Sequence, residues 1–199
     1  ANHRGEIASY CTIAEPDYGL ITNIGKAHLE GFGGEAGIRQ GKGELFDYLE
    51  RTGGTAFYLS ESPALSEMAE ERPALTSYGF SGEVLEILPS DDNLLSLGFG
   101  DRIIRTHLVG GYNRWNIAAA LAVGEYFEVD RADAIEAIES YEPDNSRSQR
   151  IVTGRNILYM DAYNANPSSM AAALENFAGS EEAGYEKVLI LGDMRELGE

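Results

Sequence analysis

Between residues 17 and 71 the apolar pattern changes period repeatedly, and this limits the architectures open to the chain. DYGLITNI, residues 17–24, reads as a buried strand that ends in a polar loop. From Glu35 to Arg51 the period becomes helical: Ile38, Leu45, Phe46 and Leu49 share one face. Arg39, Gln40, Glu44, Asp47 and Glu50 take the other faces. TAFYLS (55–60) is a second strand, and residues 63–71 form a shorter helix. Strands that alternate with helices need crossover connections, so this part predicts a parallel sheet flanked by helices, an α/β fold.

The character shifts between residues 75 and 109. TSYGF, EVLEIL, LLSLGF and RIIRTHLV are short strand-like runs split by Gly, Ser and Asp, which predicts a small antiparallel β insert. Two helices follow, at 113–127 and 131–141. EPDNSRSQ, residues 142–149, is polar and turn-rich and serves as the linker. Beyond it, RIVTG and NILYMD read as strands, Ser168 to about Ala178 as a helix, and KVLILG (187–192) as a further strand. The division expected is residues 1–145 as one domain and 146–199 as the start of another.

A net charge of −18 opposes nucleic acid or an anionic membrane as partner, since both require basic patches. Hydrophobic residues make up 43% of the chain, enough for a real core. No apolar run approaches the roughly 20 residues of a membrane span. With one cysteine, Cys11, no internal disulfide can form.

The helix from Glu35 carries the first chemical signal. GGEAGIRQGKGELF (33–46) looks like a phosphate-binding loop, but the spacing fails. The motif G-x-x-x-x-G-K-[ST] would need glycine at Ala36 and a hydroxyl at Gly43. Lys42 instead stands on the apolar face, one turn beyond Ile38. Either its stem reaches out to water, or desolvation keeps its amine reactive.

Other candidates sit at strand ends and helix starts. Asp161 closes NILYMD, where an acid in an open α/β sheet can take ribose hydroxyls, although an aspartate there also caps turns. Asn164 and Asn166 follow it, ahead of Pro167. Asn113, in GGYNRWN with Asn116, is either a helix N-cap or a reader of a base edge, and the local composition favours the cap. His28 lies in the loop after the first strand and can approach the same sheet edge as Lys42. Asn2 and His3 lie in the polar segment ANHRGEI.

ANHRGEI, NIGKAHLEGFG, KGELF, DAYNANPSSM and LGDMRELGE, in this order and spacing, resemble the Mur ligase superfamily. DAYNANP and LGDMRELGE are most similar to the members that add D-alanyl-D-alanine. The resemblance implies a central ATPase domain followed by a Rossmann-like C-terminal domain. It implies an ATP- and Mg²⁺-dependent cytoplasmic monomer that joins D-alanyl-D-alanine to UDP-N-acetylmuramoyl-tripeptide in peptidoglycan precursor synthesis. Lys42 matches the lysine these ligases carbamylate, and His28 their magnesium-binding histidine. Arg147 matches an arginine near the γ-phosphate, Asp161 the ribose-binding acid, and Asn113 the adenine-side asparagine; Asn116 and Asn164 complete the nucleotide set. Asn2, His3, Asn166, Asp193 and Met194 fall where substrate is expected.

The chain departs from the family pattern in two places: Tyr112 stands where histidine is commoner, and Ser146 where glycine is usual. The resemblance also places the phosphate loop and a magnesium-binding glutamate upstream of Ala1, so this segment alone is expected to be inactive. The alternatives are a sister ligase that adds another amino acid and a non-catalytic nucleotide-binding relative. DAYNANP opposes the first, and the presence of His28, Lys42 and Asp161 together opposes the second.

Overall fold

The structure is a computed structural model and describes residues 1–25, 29–90, 92–144, 146–180, 182 and 184–194. These form two compact units, one spanning Ala1–Gly82 and the other running from Glu83 onward.

The first unit is built on a three-stranded parallel sheet in the order β1 (Tyr18–Ile21), β2 (Thr55–Leu59), β3 (Thr76–Phe80). Helix α3 (Glu35–Thr52) makes the first crossover and α4 (Pro63–Glu70) the second. TSYGF therefore belongs to this sheet and not to the antiparallel insert: Phe57 pairs in register with Leu20 on one side and Tyr78 on the other. A strand-like run does not name its partner; here α4 returns the chain alongside β2, which makes the pairing parallel.

The face of α3 predicted to be apolar is the buried one, with Ile38, Phe46 and Leu49 almost wholly enclosed. Gly19 in β1 lets this helix come close, since a Cβ there would lie 2.8 Å from the side chains of Leu45 and Leu49. The Phe46 ring meets Tyr58 edge-on at 6.4 Å.

Helix α1 (Glu6–Ala14) is not apparent in the sequence, because its start is polar and Tyr10 and Ile13 remain exposed. It lacks a capping side chain of its own. Glu44 of α3 supplies one, accepting from the backbone N–H groups of Gly5 at 2.6 Å and Ala8 at 2.9 Å. A carboxylate there satisfies orphan donors and opposes the helix dipole. Glu44→Ala is expected to cost about 1 kcal/mol, to be read in urea as a lower midpoint at constant slope. Between β1 and α3 lies the short helix α2 (Leu29–Phe32).

In the second unit, β4 (Glu86–Leu88), β5 (Ser96–Phe99) and β6 (Arg102–Arg105) form the antiparallel sheet expected of the insert. Helices α5 (Asn113–Tyr126) and α6 (Arg131–Ser140) follow, then the antiparallel pair β7 (Gln149–Val152) and β8 (Ile157–Met160), then α7 (Pro167–Gly179). The strand expected at KVLILG does not form, and Val188 and Ile190 are 72% and 94% exposed. An apolar run becomes a strand only where a neighbour completes its hydrogen bonds and covers a face, and this run has neither among the described residues.

Candidate functional site

In the first unit Lys42 points inward from α3, half-buried, and its Nζ donates to the carbonyl of Asn23 at 2.7 Å. Asn23 lies just past β1, so the amine reaches the carboxyl end of a parallel strand. Burial holds its pKa below the ordinary lysine value. Two glycines of α3 allow the local packing. A Cβ on Gly41 would come 2.3 Å from Cε1 of Phe32, and one on Gly37 would come 1.8 Å from the Phe32 carbonyl oxygen. The glycines that imitate a phosphate loop thus serve the contact between α2 and α3.

His28, the other predicted ligand in this unit, lies outside the described residues. Asn2 and His3 are exposed; the Asn2 amide and His3 Nδ1 bond the Glu6 carboxylate at 2.7 and 3.0 Å. The Asn2 hydrogen bond, then that of His3, lowers the Glu6 pKa.

The second unit gathers Asn113, Arg147 and Asp161 around residues 146–149. Leu108 bridges Gln149, and the Val109 N–H donates to the Ser148 carbonyl at 3.2 Å. On the other side the Ala162 N–H donates to the Ser146 carbonyl at 2.8 Å. The Arg147 guanidinium lies over the Tyr163 ring, 3.6 Å from its centroid, with Asp161 near enough to feel its charge. Partial burial raises the Asp161 pKa, against which the Ser148 amide, the Tyr112 hydroxyl and Arg147 all act to lower it.

Ser146 and Ser148, flanking Arg147, both adopt left-handed backbone with φ of 57° and 50°. Such geometry is costly for a residue with a Cβ and is retained where its surroundings require it. Ser146→Gly is expected to raise stability by up to about 1 kcal/mol, net of the chain entropy glycine adds. Thermal melts of the two proteins check this.

Asn113 is not the cap that its position suggests. It is the first residue of α5, 5% exposed; its amide donates to the Val109 carbonyl at 2.8 Å and its oxygen accepts from Asn116 at 2.9 Å. Asn116 lies exposed one turn on. Asn166 caps α7 in a reciprocal box with Ser169, and the Asn164 side chain bonds the Ala165 amide at 2.9 Å. Asp193 and Met194 lie in exposed irregular chain. The sequence reading missed Glu44, Ser148 and Tyr163, which lie within two positions of Lys42, Arg147 and Asp161 and carry no local signal of their own.

Lys42 thus reaches the end of the parallel strand β1 from α3, and Asp161 directly follows β8. Residues 1–124 match the family described as the Mur ligase middle domain, and residues 146–199 the Mur ligase glutamate ligase domain. The chain belongs to the Mur ligase family.

Two relatives are the UDP-N-acetylmuramoyl-tripeptide–D-alanyl-D-alanine ligases of Bacillus subtilis (strain 168) and Escherichia coli (strain K12). They are 30% identical over 200 residues and 33% identical over 227. The matches take in 98% and 100% of this chain but 43% and 45% of the relatives, so it spans less than half their length. Among solved structures, the MurF ligase of Thermotoga maritima in complex with ADP superposes with a TM-score of 0.82 at 26% identity. It covers 100% of this chain and 47% of that one. MurF of Acinetobacter baumannii gives a TM-score of 0.82 at 28% identity, covering 100% and 44%.

Proposed function

We propose that this chain is part of an ATP-dependent ligase that joins D-alanyl-D-alanine to UDP-N-acetylmuramoyl-tripeptide in the cytoplasm, acting as a monomer. The observation that carries this reading is the match over nearly the whole chain to relatives that bear that activity in their names. The domain boundary is placed near residue 145, so that Arg147 and Asp161 belong to the C-terminal domain.

In the proposed reaction the terminal carboxylate of the tripeptide attacks the γ-phosphorus of ATP. ADP leaves and an acyl phosphate forms. The amine of D-alanyl-D-alanine then adds to the acyl carbon, and collapse of the tetrahedral intermediate expels phosphate and leaves the amide. Arg147 is assigned to the γ-phosphate, where a fixed guanidinium offsets developing charge. Asp161 receives the ribose, while Asn113, Asn116 and Asn164 serve the nucleotide. Asn2, His3, Asn166, Asp193 and Met194 are assigned to the other substrates.

Lys42 acts after modification. Its neutral amine attacks CO₂, a C–N bond forms, one proton leaves, and an anionic carbamate results. A half-buried amine held below its usual pKa suits that step. The added carboxylate would give the lysine oxygen atoms that suit a hard cation. The Lys42 carbamate and His28 would hold Mg²⁺, which supplies charge neutralisation at the phosphoryl oxygens.

The test is phosphate release from Mg-ATP and the UDP-muramoyl tripeptide by the full-length protein, with and without D-alanyl-D-alanine. Release that depends on the dipeptide and collapses in Lys42→Ala is the expected result. Release that ignores the dipeptide would move the assignment to a sister ligase, and no release at all to a non-catalytic relative.

A further inference from the structure

Tyr163 lies just past β8 and is 63% exposed, so its ring buries too little to be held there by the core. Over the ring stands the Arg147 guanidinium, its Cζ 3.6 Å from the centroid. That is the contact distance of two flat groups. A guanidinium turned on edge at this height would press a nitrogen inside van der Waals distance of the ring, so the two planes lie close to face to face. The backbone beneath both residues is fixed. The Ala162 N–H donates to the Ser146 carbonyl at 2.8 Å, so Arg147 and Tyr163 leave the same junction side by side. On the far side of Arg147, the Val109 N–H donates to the Ser148 carbonyl at 3.2 Å, and the Tyr112 hydroxyl lies 2.8 Å from Ser148 Oγ. The Arg147 side chain is exposed, and a long exposed side chain on a fixed backbone keeps its rotamer freedom unless its head is held.

We propose that Tyr163 is a positioning residue: its ring carries the Arg147 guanidinium face-on and presents the edge of that group to the γ-phosphate. This rests on the nucleotide reading given above, in which Arg147 takes the γ-phosphate. Both uses fit one side chain. The N–H donors of a guanidinium lie in its plane, and a phosphate is met along that edge by two donors at once. The ring takes the face, so stacking and phosphate binding do not compete. Tyrosine has few torsions of its own and makes a stiff support. Freedom that Arg147 would lose on meeting the nucleotide is given up beforehand, which is preorganisation. A ring beneath an exposed cation favours the stacked arrangement by about two- to fivefold. The holding is done by the π face, so the Tyr163 hydroxyl has no part in it.

The test measures the affinity of the full-length protein for Mg-ATP and for Mg-ADP, and takes their ratio as the readout of the γ-phosphate. Arg147→Met should lower the preference for ATP by roughly tenfold or more, the scale of hydrogen bonds to a charged group. Tyr163→Leu should lower it by about two- to fivefold with ADP affinity unchanged. Tyr163→Phe, which keeps the ring, should retain the wild-type ratio. Tyr163→Leu added to Arg147→Met should lower the ratio no further, since the ring acts through the arginine. A wild type that binds neither nucleotide, or Arg147→Met with a wild-type ratio, would remove the γ-phosphate assignment and this inference with it. If Arg147→Met lowers the ratio and Tyr163→Leu does not, the assignment stands and the inference falls. Equal weakening of both nucleotides by Tyr163→Leu would overturn it as a purely structural effect, and so would a loss in Tyr163→Phe as large as in Tyr163→Leu. Should leucine prevent folding, Tyr163→Ala is read in the same way.

Discussion

Lys42→Met is expected to lower the ligase activity proposed for the full-length protein by at least about 10²–10³-fold, the scale of removing one electrostatic element from a transition state, and to make the protein harder to melt. The two effects have one cause. Below its depressed pKa the folded Lys42 carries an ammonium that its surroundings disfavour, relieved in part by the Asn23 carbonyl at 2.7 Å. Methionine fills similar space without that cost. The sign follows from the direction of the shift. A lysine whose folded pKa is depressed contributes stability that is complete above its unfolded pKa and is lost as pH falls through the folded value. The advantage of methionine is therefore full below the depressed value and shrinks as pH rises from there towards the ordinary lysine value. Melting both proteins across that window, in buffers freed of CO₂, checks it. A constant difference at every pH would mean that packing, not charge, separates them.

Gly37→Ala should do the opposite of what helix propensity says. Alanine gains about 1 kcal/mol over glycine in an exposed helix interior. Here the new Cβ would lie 1.8 Å from the Phe32 carbonyl oxygen, a backbone atom that cannot turn aside. The helices must separate, and a loss of about 3 kcal/mol or more is expected. Gly124→Ala is the internal control. In α5 its Cβ would meet Ala134 and Val129 at 3.8 Å, an ordinary contact, so a gain of up to about 1 kcal/mol is expected. Urea unfolding of the two variants should move in opposite directions. If both move the same way, the close approach of α2 to α3 is not what reserves position 37 for glycine.

These glycines also show where sequence reading succeeds and where it stops. The stripe of Ile38, Phe46 and Leu49 was legible because burial repeats with the helical period, and that stripe alone turned Lys42 inward. The reason for Gly37 and Gly41 was not legible, because their partner Phe32 lies on another element. TSYGF was legible as a strand but not as a parallel one, since pairing is settled by the returning helix. KVLILG was apolar enough to be a strand and is not one, because a strand is a property of two segments. Within the candidate site, Asn113 shows the same limit. Its position reads as a cap, yet its amide turns back to Val109 and its oxygen to Asn116. Glu44, which caps α1 from 36 residues away, leaves no mark near that helix start.

The segment at residues 146–149 has a consequence for anyone moving this chemistry elsewhere. Ser146 is tied to Ala162 and Ser148 to Val109, so the arginine between them is held from two directions. Transplanting Arg147 and Asp161 as two side chains would carry over their charges without their spacing. A graft has to bring three pieces of chain together with the two hydrogen bonds that join them. Its smallest workable unit is a knot of backbone.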